Sequence, residues 1–351
     1  MPVLSAGRIS KISRELLVAA GTPTKHAVIV ADHLADANLV GHDSHGFIRI
    51  IQYLRDIDED IVDPKGEPLI TGGSGGLAQI DGSGTFGQVA ATFAVRVAIE
   101  KARHHGISFV TTFNHSHTGR VGAYPETVAK EGMASTVWIG VQRGKLRRVA
   151  PFGGREGRMG TNPIAMGFPY KEDSPILLDF ATSMAAEGKM RVYQARGKML
   201  PGEWLLDANG KPSRDPNDLY NGGAILPMGG IDGGHKGYAL AFMVDLMGGT
   251  LAELTDGTVR DDSTTRGASI MVIDLSALGD LGKVKEDVHD LVTYLKDTPP
   301  MAGHDGVLYP GEIEATTRRQ RLKNGIDIEQ ATWDKIAGLI REHRLDEEFG
   351  V

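Results

Sequence analysis

Two short segments carry side chains whose types and spacing suit proton and carboxylate chemistry. The first is Gly41-His42-Asp43-Ser44-His45-Gly46-Phe47-Ile48-Arg49-Ile50-Ile51-Gln52-Tyr53, and the second is Asn114-His115-Ser116-His117-Thr118-Gly119. Each sets histidine at a glycine-marked break, where a ring can face a cleft. A helix beginning near Gly46 would carry His45, Arg49 and Gln52 or Tyr53 on one stripe, because residues three and four apart share a face. Phe47, Ile50, Ile51 and Leu54 would fill the opposite, core-facing stripe. A guanidinium beside an imidazole fits a substrate with a carboxylate next to a carbonyl or hydroxyl. Arginine grips the carboxylate with two prongs, and histidine titrates near neutral pH and can move the proton. The chain holds 12 histidines, so any one alone reads more simply as an ordinary polar residue. The stripe, the break and the second histidine segment together point to a site. Ser44 reads as a turn or helix cap rather than a nucleophile.

These groups need a frame. At 351 residues the chain is long enough for about two domains. A net charge of -7 argues against nucleic acid or an anionic membrane as the main partner. The lack of cysteine excludes disulfides and thiolate zinc sites. The opening MPVLSAGRISKI has no apolar signal core, and no apolar run approaches the ~20 residues of a membrane helix. A cytoplasmic protein is expected.

Ile9, Ile12, Leu16 and Leu17 predict an amphipathic helix stopped at Gly21. Thr24, after Pro23, is expected to cap a second helix through Leu39. The third helix carries His45 and Arg49 and ends before Asp63-Pro64. A strand over Leu77–Ile80, a helix from about Gln88 to His105 and a strand over Ile107–Thr112 lead to the second histidine segment. Residues 122–130 read as a helix and 135–141 as a strand. A strand over Pro175–Asp179 precedes Ala181-Thr182-Ser183, which is expected to open a helix into Tyr193. Residues 197–234 read as an ordered excursion or cap, because Trp204, Leu205 and Leu206 require burial. A helix over Gly237–Met247, a strand over Ser269–Asp274 and a helix over Lys283–Leu295 follow. A basic helix with Arg318, Arg319, Arg321 and Lys323 and a last helix over Ile328–His343 complete the chain.

Gly82-x-Gly84-x-x-Gly87 matches the dinucleotide fingerprint, but the fingerprint also needs an acid ~20 residues or somewhat more downstream. The next strand ends Thr112-Phe113-Asn114-His115, without one, so turn glycines explain the motif better. Gly233-Gly234-His235-Lys236-Gly237 is the better anion site if it opens a helix, where free N–H groups and Lys236 attract phosphate. Asp179-Phe180-Ala181-Thr182-Ser183 offers a second turn of small residues, although Thr182 or Ser183 can equally be an N-cap.

Taken together, these segments resemble the malate/L-lactate dehydrogenase family that is unrelated to the Rossmann-type enzymes. Ureidoglycolate dehydrogenase, diketogulonate reductase, sulfolactate dehydrogenase and cyclic-imine reductases share this family. The likeness rests on Gly41 to Gly46 with Arg49 and Tyr53, Asn114 to Gly119, Gly160-Thr161-Asn162-Pro163, Leu178 to Ser183, His235-Lys236-Gly237-Tyr238 and Pro310-Gly311-Glu312, in family order. Gly41 to Gly46 and His117 to Gly122 look most similar to bacterial hydroxycarboxylate dehydrogenases. The resemblance implies an α+β fold: a helical domain from both chain ends (1–68 with 314–351) and a cofactor domain (69–313) on a large, mainly antiparallel sheet. It implies a homodimer, NAD or NADP as cofactor and a small carboxylate substrate. It implies His45 and His117 as catalytic, and Ser44, Arg49 and Tyr53 as substrate-binding. Leu178, Asp179, Phe180, Ala181, Thr182, Ser183, Lys236, Gly237, Gly311 and Glu312 match cofactor positions. Between Val141 and Val149 the chain reads Gln142 to Arg148, where many relatives have a polar Thr-Asn-type stretch, so contacts there depart from the pattern.

The expected reaction is hydride transfer between a nicotinamide cofactor and a 2-oxo or 2-hydroxy acid. One alternative keeps the fold and reduces cyclic imines or N-alkyl amino acid precursors. Another is a metal-dependent hydrolase using His115 and His117, which would share a face if both lay on a strand, with His42, Asp43 and His45. Arg120, Arg143, Lys145 and the Arg318 to Lys323 cluster are the cations that could meet a ribose 2′-phosphate.

Overall fold

Ile9, Ile12, Leu16 and Leu17 are all buried along one face of helix α1, Ala6–Ala19. The Ser5 hydroxyl caps it by accepting from the Arg8 N–H. Helix α2 spans Thr24–Leu39, and Pro23, not Thr24, holds the cap position. The Pro23 carbonyl already accepts from His26 and Ala27, so Thr24 lies inside the first turn. Helix α3 covers Arg49–Asp58. The structure, a computed structural model, describes residues 1–140, 147–252 and 266–351.

The large sheet contains β1 (Leu69–Gly72), β2 (Leu77–Asp81), β3 (Ile107–His115), β4 (Met133–Gly140), β5 (Pro163–Lys171), β6 (Ser174–Ala181) and β7 (Arg266–Asp274). Their order is β1-β2-β3-β7-β4-β5-β6. β2 and β3 run parallel, joined by helix α4, Gly87–His105. The other neighbours are antiparallel. A single parallel crossover in an antiparallel sheet is not a doubly wound fold. The glycines of the fingerprint serve the turn itself: Gly82 and Gly84 N–H groups donate to the Phe113 and Asn114 carbonyls. The Ser83, Thr85 and Gly87 N–H groups are engaged as well, by the Asp81 carboxylate, the Gly82 carbonyl and the Ser116 hydroxyl.

Helices α5 (Ala123–Lys130), α6 (Glu187–Ala195), α7 (Gly230–Asp245), α8 (Leu281–Lys296), α9 (Glu312–Asn324) and α10 (Gln330–Glu342) complete the frame. Ile336 and Ile340 of α10 share one core with Leu16, Leu34, Phe47 and Ile50, so the chain ends pack together. The Val3–Leu4 strand pairs with Ile326–Asp327 and ties them further. The small residues Ala91, Ala94 and Ala98 bring α4 close to Val110, Val137 and Ile270 of the sheet.

The 197–234 excursion is ordered. Leu205 and Leu206 are buried in a three-stranded ladder with Ala224–Ile225 and Pro212–Ser213, and Trp204 packs partly buried beside them. Two helix starts differ from expectation. β6 runs to Ala181, the chain bends at Thr182, and α6 begins only at Glu187. Ser183 instead bridges to Pro227. Helix α7 begins at Gly230, so Lys236 and Gly237 lie inside it, where their backbone N–H groups serve the helix. No helix among the described residues is long and apolar enough to cross a membrane.

Candidate active site

Asp43–His45 forms one tight 3-10 turn, and α3 starts only at Arg49. His45 therefore precedes the helix instead of riding on it. The turn is clamped from both chain ends. Asn38 of α2 donates to Asp43 at 2.6 Å and accepts from the Phe47 N–H at 2.7 Å. Arg321 of α9 grips both Asp43 carboxylate oxygens, at 2.5 and 3.0 Å. Gly46 makes room for Asn38: a Cβ there would lie 2.2 Å from its amide oxygen. Ser44 is exposed, with its hydroxyl 3.1 Å from His45 Nδ1. Arg49 is half-buried. Its Nε donates to the Ser44 carbonyl and its Nη1 to Gln52, both at 2.7 Å.

The second segment meets the first. The His117 ring stacks on His45 with centroids 5.6 Å apart and planes 18° apart. Tyr53 is not on the solvent-facing stripe. It is buried against Phe86, and its hydroxyl lies 2.9 Å from His117 Nδ1. Tyr53 follows Ile50 by three residues and precedes Leu54, so it also borders the buried face of α3. Gln88, in the first turn of α4, lies 2.6 Å from the same hydroxyl. The start of α4 fits under the His117 loop because Gly87 lacks a Cβ, which would come within 2.4 Å of the Ser116 carbonyl.

His115 does not join this group. β3 ends at His115, so the two histidines do not share a strand face. The His115 ring is buried between the Thr112 hydroxyl at 2.9 Å and the Ser116 carbonyl at 3.0 Å. Among the described residues no group of three or more His, Asp or Glu is placed to hold a metal.

Beyond His117 the loop is held tightly. Tyr124 donates to the Thr118 carbonyl at 2.5 Å, and the Arg120 N–H donates to His33 Nε2 at 2.8 Å. Arg120, 2% exposed, bonds Asp36 at 2.7 Å and Glu126 at 2.6 Å. Arg318 of α9 bonds the same two carboxylates at 2.5 and 2.8 Å. Burial works against the Asp36 and Glu126 charges, but Arg120 and Arg318 outweigh it and hold both below the ordinary carboxyl range. Burial, with the Arg120 charge, lowers His33 to about 4, so it is the neutral acceptor the Arg120 N–H requires. Arg120, Arg318 and Arg321 are thus engaged in ion pairs that tie the chain ends to the loop. Arg143 and Lys145 lie outside the described residues.

The proposed cofactor segments converge on edge strand β6. Leu178, Asp179, Phe180 and Ala181 are four successive half-buried residues, which leaves the strand accessible on both faces. Asp179 accepts from the Gly122 N–H at 2.7 Å, and burial raises its carboxyl above the usual range despite His42 nearby. The Thr182 and Ser183 hydroxyls are turned onto the Asn162 and Ala185 carbonyls. In the middle of β6, the Leu177 N–H donates to the Pro310 carbonyl beside Gly311, whose φ of +95 suits glycine. Just past the end of β6, Thr182 accepts from Met228, whose carbonyl would sit 2.1 Å from a Cβ on Gly237. Lys236 is exposed. Glu312 is occupied: it accepts from the Tyr309 N–H at 3.1 Å and pairs with Lys296, which hold it below its usual range against its desolvation. Through these contacts Glu312 braces the Gly311 turn.

Sequence reasoning missed Gln88, Asn38, His33, Arg120's buried pairing and the role of Arg321. A buried arginine next to a histidine loop is a signal, but its partners are too distant along the chain for any local spacing to mark them.

A helical layer built from both chain ends and a mainly antiparallel sheet with a single parallel pair set this fold outside the Rossmann class. The sequence pattern of the malate/L-lactate dehydrogenase family matches residues 4–337. Hydroxycarboxylate dehydrogenase B of Escherichia coli O157:H7 is 36% identical, over 93% of this chain and 91% of its own. L-sulfolactate dehydrogenase of Methanothermobacter thermautotrophicus is 34% identical, over 97% and 96%. The crystal structure of malate dehydrogenase from Entamoeba histolytica superposes with a TM-score of 0.91 at 29% identity, covering 98% of each chain. The chain belongs to the malate/L-lactate dehydrogenase family. It is an oxidoreductase acting on CH–OH donors, and a nicotinamide cofactor comes with that family. The hydrolase alternative falls with this assignment.

Proposed function

We propose that the paired-histidine site interconverts a small 2-oxo acid and its 2-hydroxy acid. The observation that carries the reading is the stack of His117 on His45, 5.6 Å between centroids, with the Arg49 guanidinium held on the carbonyl of Ser44, the residue before His45. Arg49 pairs with the substrate carboxylate, and among the described residues its Nη2 has no partner of its own. His117 gives a proton to the developing alkoxide, or takes it from the hydroxyl in reverse. His117, rather than His45, fits this role because its anchor is the buried Tyr53, whereas Ser44 beside His45 is exposed. With Nδ1 engaged by Tyr53, proton exchange with substrate falls to Nε2. General acid–base catalysis of this kind contributes about 10²–10⁴-fold. His45 flanks the substrate, and Tyr53 orients His117 instead of touching substrate.

NAD or NADP fits along β6, where four half-buried residues lie between the Gly311 and Gly237 approaches. When bound, the cofactor supplies the hydride. Leu178 to Ser183 would line it through backbone and small side chains. Lys236 would neutralise phosphate charge from the exposed face of α7.

The test is loss of reduced-cofactor absorbance, with NADH and NADPH separately, against pyruvate, oxaloacetate, 2-oxoglutarate and glyoxylate, with and without methylamine. Turnover without amine supports the reading. Turnover only with amine replaces it with imine reduction at the same site.

A further inference from the structure

As both acid and base toward substrate, His117 needs the same ring state on its far side. To donate from Nε2 it must be an imidazolium, and to accept there it must carry its one proton on Nδ1. In both cases Nδ1–H must donate to Tyr53. The Tyr53 oxygen then accepts, so its own proton needs another acceptor. Gln88 is 2.6 Å away. That separation is short for an amide N–H donor and ordinary for a hydroxyl donating to a carbonyl oxygen. With the amide nitrogen facing Tyr53, Gln88 Oε1 is buried without a partner among the described residues. The two ends of an amide have the same outline, and the network decides which end faces the hydroxyl. The Gly119 N–H, at 3.4 Å from Nδ1, is too long to fix the opposite tautomer.

We propose that Gln88 is a positioning residue whose carbonyl oxygen accepts from Tyr53, so that Tyr53 accepts from His117 Nδ1–H and proton exchange with the substrate runs through Nε2. Gln88 thus plays toward His117, through a phenol, the orienting part that a carboxylate plays in a catalytic triad. The inference rests on His117 being the proton-transferring group.

The relay is tested in the full-length protein with ¹⁵N-labelled histidine. The ring nitrogen shifts report the tautomer, and His117→Asn assigns the His117 signals. Wild type is expected to hold neutral His117 with its proton on Nδ1. Gln88→Met and Tyr53→Phe are expected to move that proton toward Nε2. They should lower kcat roughly 10–100-fold, with the 2-oxo acid KM within about threefold. Gln88→Glu, an acceptor of the same size, should keep the Nδ1–H form. A wild-type ring protonated on Nε2, or a tautomer unchanged in both Gln88→Met and Tyr53→Phe, overturns the relay. Full turnover in His117→Asn overturns instead the proton-transfer role, and the tautomer measurement distinguishes the two failures.

Discussion

Replacing His33 by glutamine removes the one titrating group that meets the Arg120 N–H, while leaving an acceptor in its place. An unfolded imidazole titrates near 6.5 and the folded one near 4. The folded state therefore binds fewer protons than the unfolded chain between these values, and acid favours unfolding. The penalty is absent above the unfolded value, sets in as pH falls below it, and is complete below about 4. Linkage over this interval gives a loss of about 2.5 kcal/mol between about pH 7.5 and about pH 4.5. His33 is half-buried by surface area, so this is an upper bound. Urea unfolding followed by tryptophan fluorescence at stepped pH measures it. Wild type should lose up to about 2.5 kcal/mol more than His33→Gln over that range. Parallel curves would refute the claim that His33 is held neutral against Arg120, and with it this account of the His117 loop.

Arg49→Ala should raise the KM for the 2-oxo acid roughly 10–100-fold, as expected for a lost charge-assisted pair, with the cofactor KM within about twofold; steady-state kinetics with each substrate varied reads both. Arg120→Met should destabilise the fold by about 3–5 kcal/mol in urea unfolding, because Asp36 and Glu126 lose a buried partner. Gly46→Ala should cut turnover more than it lowers the melting temperature, since a Cβ 2.2 Å from the Asn38 amide oxygen displaces the His45 turn. Equal activity in Gly46→Ala would show that the turn tolerates the shift.

Periodicity made the helices legible: the spacing of Ile9, Ile12, Leu16 and Leu17, and the demand of Trp204, Leu205 and Leu206 for burial, led to the observed cores. The two histidine segments were legible as residue types. Their meeting was not, because His45 and His117 are joined by packing of α3, the start of α4 and the loop after β3. Tyr53 lies four residues after Arg49 and three after Ile50, so spacing alone left its face open, and packing on Phe86 decides it. Charge types misled more. Arg318 and Arg321 read as available cations, and only tertiary contact ties them to Asp36, Glu126 and Asp43. The contacts of Glu312 with the Tyr309 N–H and Lys296 were likewise invisible to local spacing.

The central claim is hydride transfer to the 2-carbon of an oxo acid at the His45–His117–Arg49 site. Reduced cofactor carrying deuterium at both C4 positions, incubated with enzyme and the best 2-oxo acid, tests it by NMR of the product. Deuterium on the carbon bearing the new hydroxyl is predicted, with the yield falling sharply in His117→Asn and Arg49→Ala. Cofactor oxidation that leaves no deuterium on that carbon, or deuterium found only in an amine product, would contradict it.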